Sequence, residues 1–247
     1  MGRRRLVGAC LAMAVGGMLL SGCGKAAGVR PDRGVGEDVP GLSKQLHFEY
    51  IGDSGEDETI NQILQITNDH VRSVVPLLSF TALDKNHELL PEVKVSTVYG
   101  SERGKLVIPY GTGYDILRFS GPGAHDVADV DVTVNLVVPA QMEAGEHDVT
   151  TQALDGQGRE ISRFERFSKV RLTNEDPYPV WVRVAYVVWD QPAEGDTQQA
   201  VDVTPIGGLT RVPPSGTAVV KVTGAAADAV SRNSRGPAVS IKAYNSQ

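Results

Sequence analysis

The sequence has very little cysteine. Its 247 residues include two, Cys10 and Cys23, and no cysteine follows residue 23. Disulfides and thiolate ligands are therefore excluded from the main part of the chain. No Cys-x-x-Cys or His-x-x-x-His spacing occurs, so the sequence predicts no local metal site. A metal site assembled from distant strands stays open as an alternative. The histidines that would have to build it are His47, His70, His87, His125 and His147.

Motifs for catalysis are also lacking. There is no Gly-x-Ser-x-Gly and no Ser-x-x-Lys pair. The glycine-rich pieces at 111–113 and 121–123 lack the lysine that a phosphate loop needs, so they predict turns between strands. A triad assembled across the fold stays open but has no positive evidence. We therefore predict no catalytic residue, no cofactor and no enzymatic activity.

Long apolar runs are absent beyond the amino terminus, where a basic head of three arginines precedes Leu6 to Leu20. This run has 15 residues. As a helix it would span roughly 22 Å, less than the ~30 Å hydrocarbon core. It therefore predicts a secretory signal, with a permanent transmembrane helix as the alternative.

The segment Leu20-Ser21-Gly22-Cys23 follows this run directly. The order of basic head, apolar run and cysteine resembles a bacterial lipoprotein signal with its lipobox. The resemblance implies that Cys23 carries diacylglycerol on its thiol and that cleavage occurs before it. It also implies that Leu20, Ser21 and Gly22 are recognised by the processing enzymes. The arginines fit Sec or twin-arginine export, and both stay open.

The charge balance is acidic, with 24 Lys and Arg against 30 Asp and Glu. Cleavage before Cys23 would remove three arginines and no acid, which changes the formal net charge from -6 to -9. An acidic chain argues against binding of nucleic acid or of an anionic membrane through side chains. The sequence thus predicts a protein held by lipid on the extracytoplasmic face of the cell membrane. It also predicts that its partner is an envelope protein.

Composition divides the remaining chain into a tether and a β-rich part. Residues 23–43 are rich in Gly, Pro, Asp and Arg and have no apolar period, which predicts a flexible lipidated tether. Beyond it, short runs of Val, Thr, Ile and Tyr alternate with turn residues. Val130 to Val137 is a clear alternating strand, and the best helical candidate, Ala225 to Val230, is short.

An internal repeat organises the β-rich part. Ile66-Thr67-Asn68-Asp69 recurs as Leu172-Thr173-Asn174-Glu175, and an aspartate follows each asparagine after 16 residues. The apolar positions between them keep the same offsets. Val107-Ile108-Pro109 also has a later counterpart, Arg211-Val212-Pro213. We therefore predict an all-β fold of two tandem immunoglobulin-like β-sandwich domains, 44–140 and 141–247, behind a signal peptide at 1–22.

The strand ends Phe80 to Asp84 and Tyr186 to Asp190 resemble those of FxLYD-type β domains in bacterial envelope lipoproteins. The resemblance implies a fold and a cellular setting but no reaction. In the second unit this strand is apolar on both sides, which is expected where domains pack together or a partner binds. Nearby aromatics make Tyr178, Trp181 and Trp189 the candidate interaction surface. The alternative is that they fill the core.

Two acidic stretches are candidates for weak calcium binding, namely 53–58 and the strand face carrying Asp129 and Asp131. The alternative for both is a solvated surface. Taken together, the sequence predicts a membrane-anchored, non-catalytic binding or protein–protein interaction module. Alternatives are a regulatory accessory of an envelope-stress sensor, an envelope hydrolase, and a solute- or metal-binding protein.

Overall fold

The computed structural model describes residues 41–52, 62–193, 198–236 and 238–247. The predicted signal, Cys23 and the tether up to residue 40 lie outside the described residues, as does the acidic stretch 53–58. The described part is built almost entirely from antiparallel strands, which confirms the all-β prediction. No helix within it has the length and apolar character needed to cross a membrane.

The amino-terminal half, residues 46–139, contains six strands. Alternation of Val, Ile and Leu with polar residues drives them, because successive side chains point to opposite faces. The strands are β1 Leu46–Ile51, β2 Ile63–Asn68, β3 Val74–Leu83, β4 Lys94–Thr97, β5 Gly111–Ser120 and β6 Asp129–Pro139. They form a four-stranded sheet in the order β1-β2-β5-β4 and a pair β3-β6.

The carboxy-terminal half, residues 150–245, contains six further strands and one helix. The strands are β7 Thr150–Leu154, β8 Lys169–Asn174, β9 Val180–Trp189, β10 Ala200–Val212, β11 Gly216–Lys221 and β12 Val239–Asn245. Two three-stranded sheets result, ordered β11-β8-β7 and β10-β9-β12. Helix α1, Ala225–Asn233, begins at the predicted helical segment. It buries two alanines and Val230 in the core of the carboxy-terminal half.

The predicted repeat is visible in the strand register. Strands β2 and β8 each have six residues and end at Asn68 and Asn174. Asn68 is paired with Gly111 of β5, and Asn174 is paired with Gly216 of β11. Strands β3 and β9, which follow these asparagines, each have ten residues. The repeated sequence therefore folds into repeated strand pairs.

Strand β9 is buried on both faces from Val184 to Trp189, as its apolar pattern predicts, and on one face before that. One set of alternate residues, from Val180 to Val188, packs into the core of the carboxy-terminal half. On the other face, Ala185, Val187 and Trp189 pack against apolar residues of the amino-terminal half. Each buried side chain of this size contributes roughly 1.5–3 kcal/mol. The strand thus connects the cores of the two halves.

Candidate functional site

Each half carries the same asparagine turn at the end of its β2 or β8 strand. In the first, Nδ2 of Asn68 donates to the backbone oxygens of Arg72 and Pro109, each at 3.0 Å. Its Oδ1 accepts the backbone N–H of His70 at 3.0 Å. Because Asn68 is 1% exposed, these bonds have no competition from solvent.

The second turn repeats these bonds. Nδ2 of Asn174 donates to the backbone oxygens of Tyr178, at 2.8 Å, and Pro213, at 3.0 Å. Its Oδ1 accepts the backbone N–H of Asp176 at 2.9 Å. The asparagine is buried here as well, with 1% exposure. The Thr-Asn step predicted as a turn therefore also ties each strand to a proline-containing segment far along the chain.

The two turns differ at the second residue after the asparagine. This position is His70 in the first turn, where the residue is partly buried and its ring bonds locally to Arg72. In the second turn it is Asp176, which is completely buried. Burying a carboxylate costs free energy unless hydrogen-bond donors surround it, so the groups that contact Asp176 show which segment it holds in place.

Asp176 binds the loop between β6 and β7. Its Oδ2 accepts the backbone N–H of Glu146 at 3.0 Å, and its Oδ1 lies 2.5 Å from Nδ1 of His147. The hydrogen bond and the negative charge of Asp176 raise the pKa of His147. A Cβ at Gly145 would lie 2.6 Å from Oδ2 of Asp176, so a larger residue at this position would displace the carboxylate.

The same loop is also tied on its other side. The N–H of Gly145 donates to Oδ1 of Asn245 at 3.0 Å, and the N–H of Ala144 donates to Oγ of Ser73 at 3.2 Å. Ser73 in turn donates to Glu143 at 3.0 Å. The loop is therefore held by residues of both halves and forms a common wall of the two cavities described next.

The larger cavity is an open groove of about 850 Å³ on one side of this loop. Its apolar lining includes Val71, Tyr110, Tyr178 and Trp181, and we call it the aromatic groove. Val71 is 81% exposed and Tyr110 is 69% exposed. Two acidic residues of the loop, Glu143 and Glu146, also line it. The structure thus brings two of the three predicted interaction residues together.

Trp189 does not belong to this surface, so its assignment to a candidate interaction surface is corrected. It is 2% exposed, and its Nε1–H donates to Oγ of Ser240 at 3.0 Å. The core of the amino-terminal half covers this end of β9, whereas Trp181 lies at the uncovered end. The sequence places both tryptophans on the same strand face but does not show where that face is covered.

The smaller cavity, about 440 Å³, lies on the other side of the loop, and we call it the tyrosine cavity. Tyr99, Tyr114 and Tyr244 line it together with Glu146 and Asp148. The rings of Tyr99 and Tyr244 stack at 4.5 Å between centroids and 18° between planes. Tyr99 and Tyr114 are tilted by 56° at 5.8 Å. No local sequence pattern indicates this cluster, because its members lie far apart in the chain.

Asp115 holds Tyr99 in the cavity wall. This carboxylate is fully buried and accepts the backbone N–H groups of Tyr99 at 2.8 Å, Ser101 at 3.0 Å and Ile116 at 2.8 Å. Burial raises the pKa of Asp115 to about 6, although these hydrogen bonds act in the opposite direction. The acid therefore positions a turn and an aromatic side chain.

Among the histidines considered as metal ligands, His147 is paired with the buried Asp176, whereas two others form exposed pairs with an aspartate. His47 lies 3.0 Å from Asp69, and His87 lies 3.6 Å from Asp129. Within the described ranges, no three His, Cys, Asp or Glu side chains are arranged to hold a metal ion. Asp131 is exposed on β6 as a charged strand face.

Comparisons of this chain with models of protein families, with curated proteins and with solved structures found no match.

Proposed function

We propose that the protein is a non-catalytic binding module, anchored by lipid on Cys23 to the extracytoplasmic face of the cell membrane. Its partner is a protein of the envelope, and the aromatic groove is the surface that receives it. The lipobox and the basic head before it support the anchor. The grouping of Tyr110, Tyr178 and Trp181 in one groove supports the binding surface and carries the proposal.

The residue types in the groove are those that contribute most to protein interfaces. Tyrosine and tryptophan present large apolar faces together with a polar group, and they are enriched among interface residues with large energetic effects. Val71 and Tyr110 are far more exposed than residues of their size in the cores. Covering them would remove apolar surface from water at roughly 25 cal/mol per Å².

The acidic residues of the groove indicate the charge of the partner. Glu143 and Glu146 both line it and are exposed. The chain as a whole is also acidic, with a formal net charge of -6. A partner segment with an apolar anchor flanked by lysine or arginine would satisfy both properties of the groove, because opposite charges at the rim steer association.

Photo-crosslinking in intact cells tests this surface directly. We expect full-length protein with benzoylphenylalanine in place of Tyr110 to form a discrete crosslinked species in the membrane fraction. The matched control carries the same residue in place of Phe164, an aromatic side chain that is 40% exposed and lies outside the groove. Trp181→Ala combined with the Tyr110 probe should reduce the yield at least fivefold. Equal crosslinking from both positions would refute the groove as the binding surface.

The anchor is tested separately. Cys23→Ser should abolish acyl labelling and either release the protein from membranes or block its processing. The described β-rich part does not include Cys23, so we expect its folding to be unaffected. Unchanged acyl labelling of this variant would contradict lipidation at Cys23 without bearing on the groove.

A further inference from the structure

The loop between β7 and β8 carries a positive charge that the acidic chain as a whole does not show. Residues 159–171 contain five Lys and Arg against two Glu, although the formal net charge of the chain is -6. The end of α1 joins this loop, because the backbone N–H of Arg235 donates to the backbone oxygen of Phe164 at 2.8 Å. We call the region that they form the arginine surface, and its members are Arg163, Phe164, Arg166, Arg232 and Arg235.

The charges of this surface are not neutralised by the acids around it. Asp155 and Glu160 are held by other arginines, Arg159 at 2.6 Å and Arg171 at 2.6 Å. Glu165 accepts a backbone N–H of its own loop at 3.2 Å. Among the described residues, none of the four arginines of the surface forms an ion pair, and all four are exposed. Their guanidinium groups are therefore available to an external anion.

An exposed aromatic ring lies among these charges. Phe164 is 40% exposed, whereas Phe167 is 3% exposed and packs in the core of the carboxy-terminal half. The guanidinium carbon of Arg163 lies 5.1 Å from the centre of the Phe164 ring. Aromatic side chains enter the layer between lipid headgroups and acyl chains, and arginines beside them bind the headgroup phosphates. The combination therefore favours an anionic membrane surface.

A cavity of about 280 Å³ adjoins the same residues. Arg163 and Phe164 line it together with the polar side chains of Ser162 and Gln152. Neither Asp nor Glu is among the described residues that line it. Because guanidinium groups match the geometry of phosphate oxygens, a cavity with an arginine and no carboxylate fits a phosphate group.

We propose that the arginine surface binds the phosphate groups of anionic phospholipids, with Phe164 in the interfacial layer of the bilayer. The site goes beyond the proposed interaction function and rests on it only for the anchor at Cys23. Eighteen residues separate Cys23 from Gly41, where the described part begins. A chain of that length extends to at most roughly 60 Å. The anchor therefore leaves open which end of the β-rich part faces the bilayer, and a contact made by side chains fixes it.

The arginine surface and the aromatic groove lie at opposite ends of β8. The loop with Phe164 precedes this strand, and the asparagine turn that leads to Tyr178 of the groove follows it. Six strand residues span about 20 Å. A bilayer contact at the loop would therefore keep the groove away from the lipid and accessible to its protein partner.

Soluble polyanions are the competing class of ligand, because arginines also bind their phosphates. Such polymers do not require an exposed phenylalanine, whereas a bilayer offers that ring an apolar layer. The covalent lipid proposed at Cys23 also keeps a bilayer within reach. We therefore assign the surface to lipid, and binding of a soluble polyanion in place of lipid is an outcome that would overturn this assignment.

Photo-crosslinking of the full-length protein in lipid nanodiscs tests the proposal. Benzoylphenylalanine in place of Phe164 should give protein–lipid adducts, identified by intact mass. We expect at least fivefold more adduct in discs containing phosphatidylglycerol than in discs of phosphatidylcholine alone. The same probe in place of Tyr110, in the aromatic groove, should give none. Absence of adducts, equal yields in the two lipid mixtures, or equal yields from both positions would overturn the proposal.

Charge removal locates the contact. In the protein with the Phe164 probe, Arg163→Gln with Arg166→Gln should reduce the adduct yield at least threefold. Arg232→Gln with Arg235→Gln should do the same. All four residues are exposed, so the substitutions are compatible with folding. Raising the salt to ~1 M, where the Debye length is ~3 Å, should also lower the yield. Yields that do not change in either double variant would contradict the assignment.

The matched control removes two exposed arginines at other places. Arg72 and Arg211 form no ion pair among the described residues and do not belong to the arginine surface. Arg72→Gln with Arg211→Gln should leave the adduct yield unchanged. An equal reduction by this pair would show that only the overall charge matters and would refute the site. Loss of the adduct after addition of polyphosphate, without any dependence on phosphatidylglycerol, would identify a soluble polyanion as the ligand.

The same samples separate this proposal from the anchor and from the groove. Every variant should stay attached to discs of either composition, because the proposed attachment is the lipid on Cys23. Failure of all variants to attach would contradict the anchor and not the arginine surface. Protein crosslinking from the Tyr110 probe in cells reports on the groove and should persist when arginines of the surface are replaced.

Discussion

The two asparagine turns have the same hydrogen bonds but different neighbours. Asn68 and Asn174 each join a strand end to a proline-containing segment. Only the second turn is followed by a buried carboxylate, Asp176, whereas the first has the partly buried His70 at that position. The comparison shows that the same backbone turn can occur twice in one chain while only one copy buries a carboxylate that holds a neighbouring loop.

The strongest test of this difference is removal of the buried acid. Asp176→Ala should lower the free energy of unfolding by about 3 kcal/mol, because it leaves two backbone N–H groups of the 146–147 loop without their acceptor. The matched variant, His70→Ala, should change stability by less than ~0.5 kcal/mol. Urea denaturation measures both. Similar losses in the two variants would show that the turns are energetically equivalent.

The same comparison has a spectroscopic readout. Asp176 raises the pKa of His147. We therefore expect the pKa of the His147 ring, followed by NMR, to fall in Asp176→Asn. A ring pKa that does not change would show that the contact at 2.5 Å does not hold the proton on His147.

A second difference between the halves concerns Asp115, since its register equivalent on β11 is the buried Val220. Asp115 is paired with Leu64 on β2, and Val220 is paired with Val170 on β8. Burial raises the pKa of Asp115 to about 6 from 3.8, so the native state binds the proton more tightly than the unfolded chain does. Stability should therefore be lost as the pH rises from about 4 to about 6, by up to ~3 kcal/mol.

The variant Asp115→Asn isolates this effect because it cannot titrate. Its stability relative to the wild-type protein should improve between pH 4 and pH 6 and stay constant above that window. Denaturation curves at four pH values give the difference in unfolding free energy between the variant and the wild-type protein. Other titrating groups contribute equally to both proteins, so their effects cancel in this difference. If the difference is the same at every pH, the three backbone N–H donors offset the cost of burial, and the predicted titration is absent.

The smallest expected effect concerns what the two turns have in common. Asn68→Ala and Asn174→Ala should each cost about 2 kcal/mol, because each removes three hydrogen bonds from a buried position. The two losses should agree within ~0.5 kcal/mol and be additive, since the turns share no partner. Thermal and urea unfolding check this. A loss of stability in only one variant would mean that the two turns share their hydrogen-bond geometry but contribute unequally to stability.

Much of the strand pattern could be predicted from local sequence. The alternation at Val130 to Val137 predicted β6, which runs Asp129–Pro139, and the helical candidate at Ala225 became α1. Strand β10, in contrast, contains Pro205, Gly207 and Gly208, which are unfavourable in strands. It forms because β9 offers a buried partner along its length, and tertiary pairing outweighs local propensity.

The candidate sites were predicted less completely. Tyr178 and Trp181 were identified from their clustering in sequence, and both line the aromatic groove. Tyr110 directly follows Pro109, the acceptor of the Asn68 hydrogen bond, but its counterpart in the repeat is Pro214, so the repeat does not indicate it. Asp176 lies two residues after Asn174, where turn chemistry alone does not distinguish a buried acid from a solvated one.

The sequence by itself determined the all-β character, the repeated asparagine turns and the apolar faces of β9. These features depend on the two-residue period of strands and on side chains that bond to nearby backbone, and both are local properties. Only the tertiary structure decided that Trp189 is buried while Trp181 lines a groove, and that three distant tyrosines meet. Such placements depend on which sheet covers which end of a strand, and therefore on contacts between residues far apart in the chain.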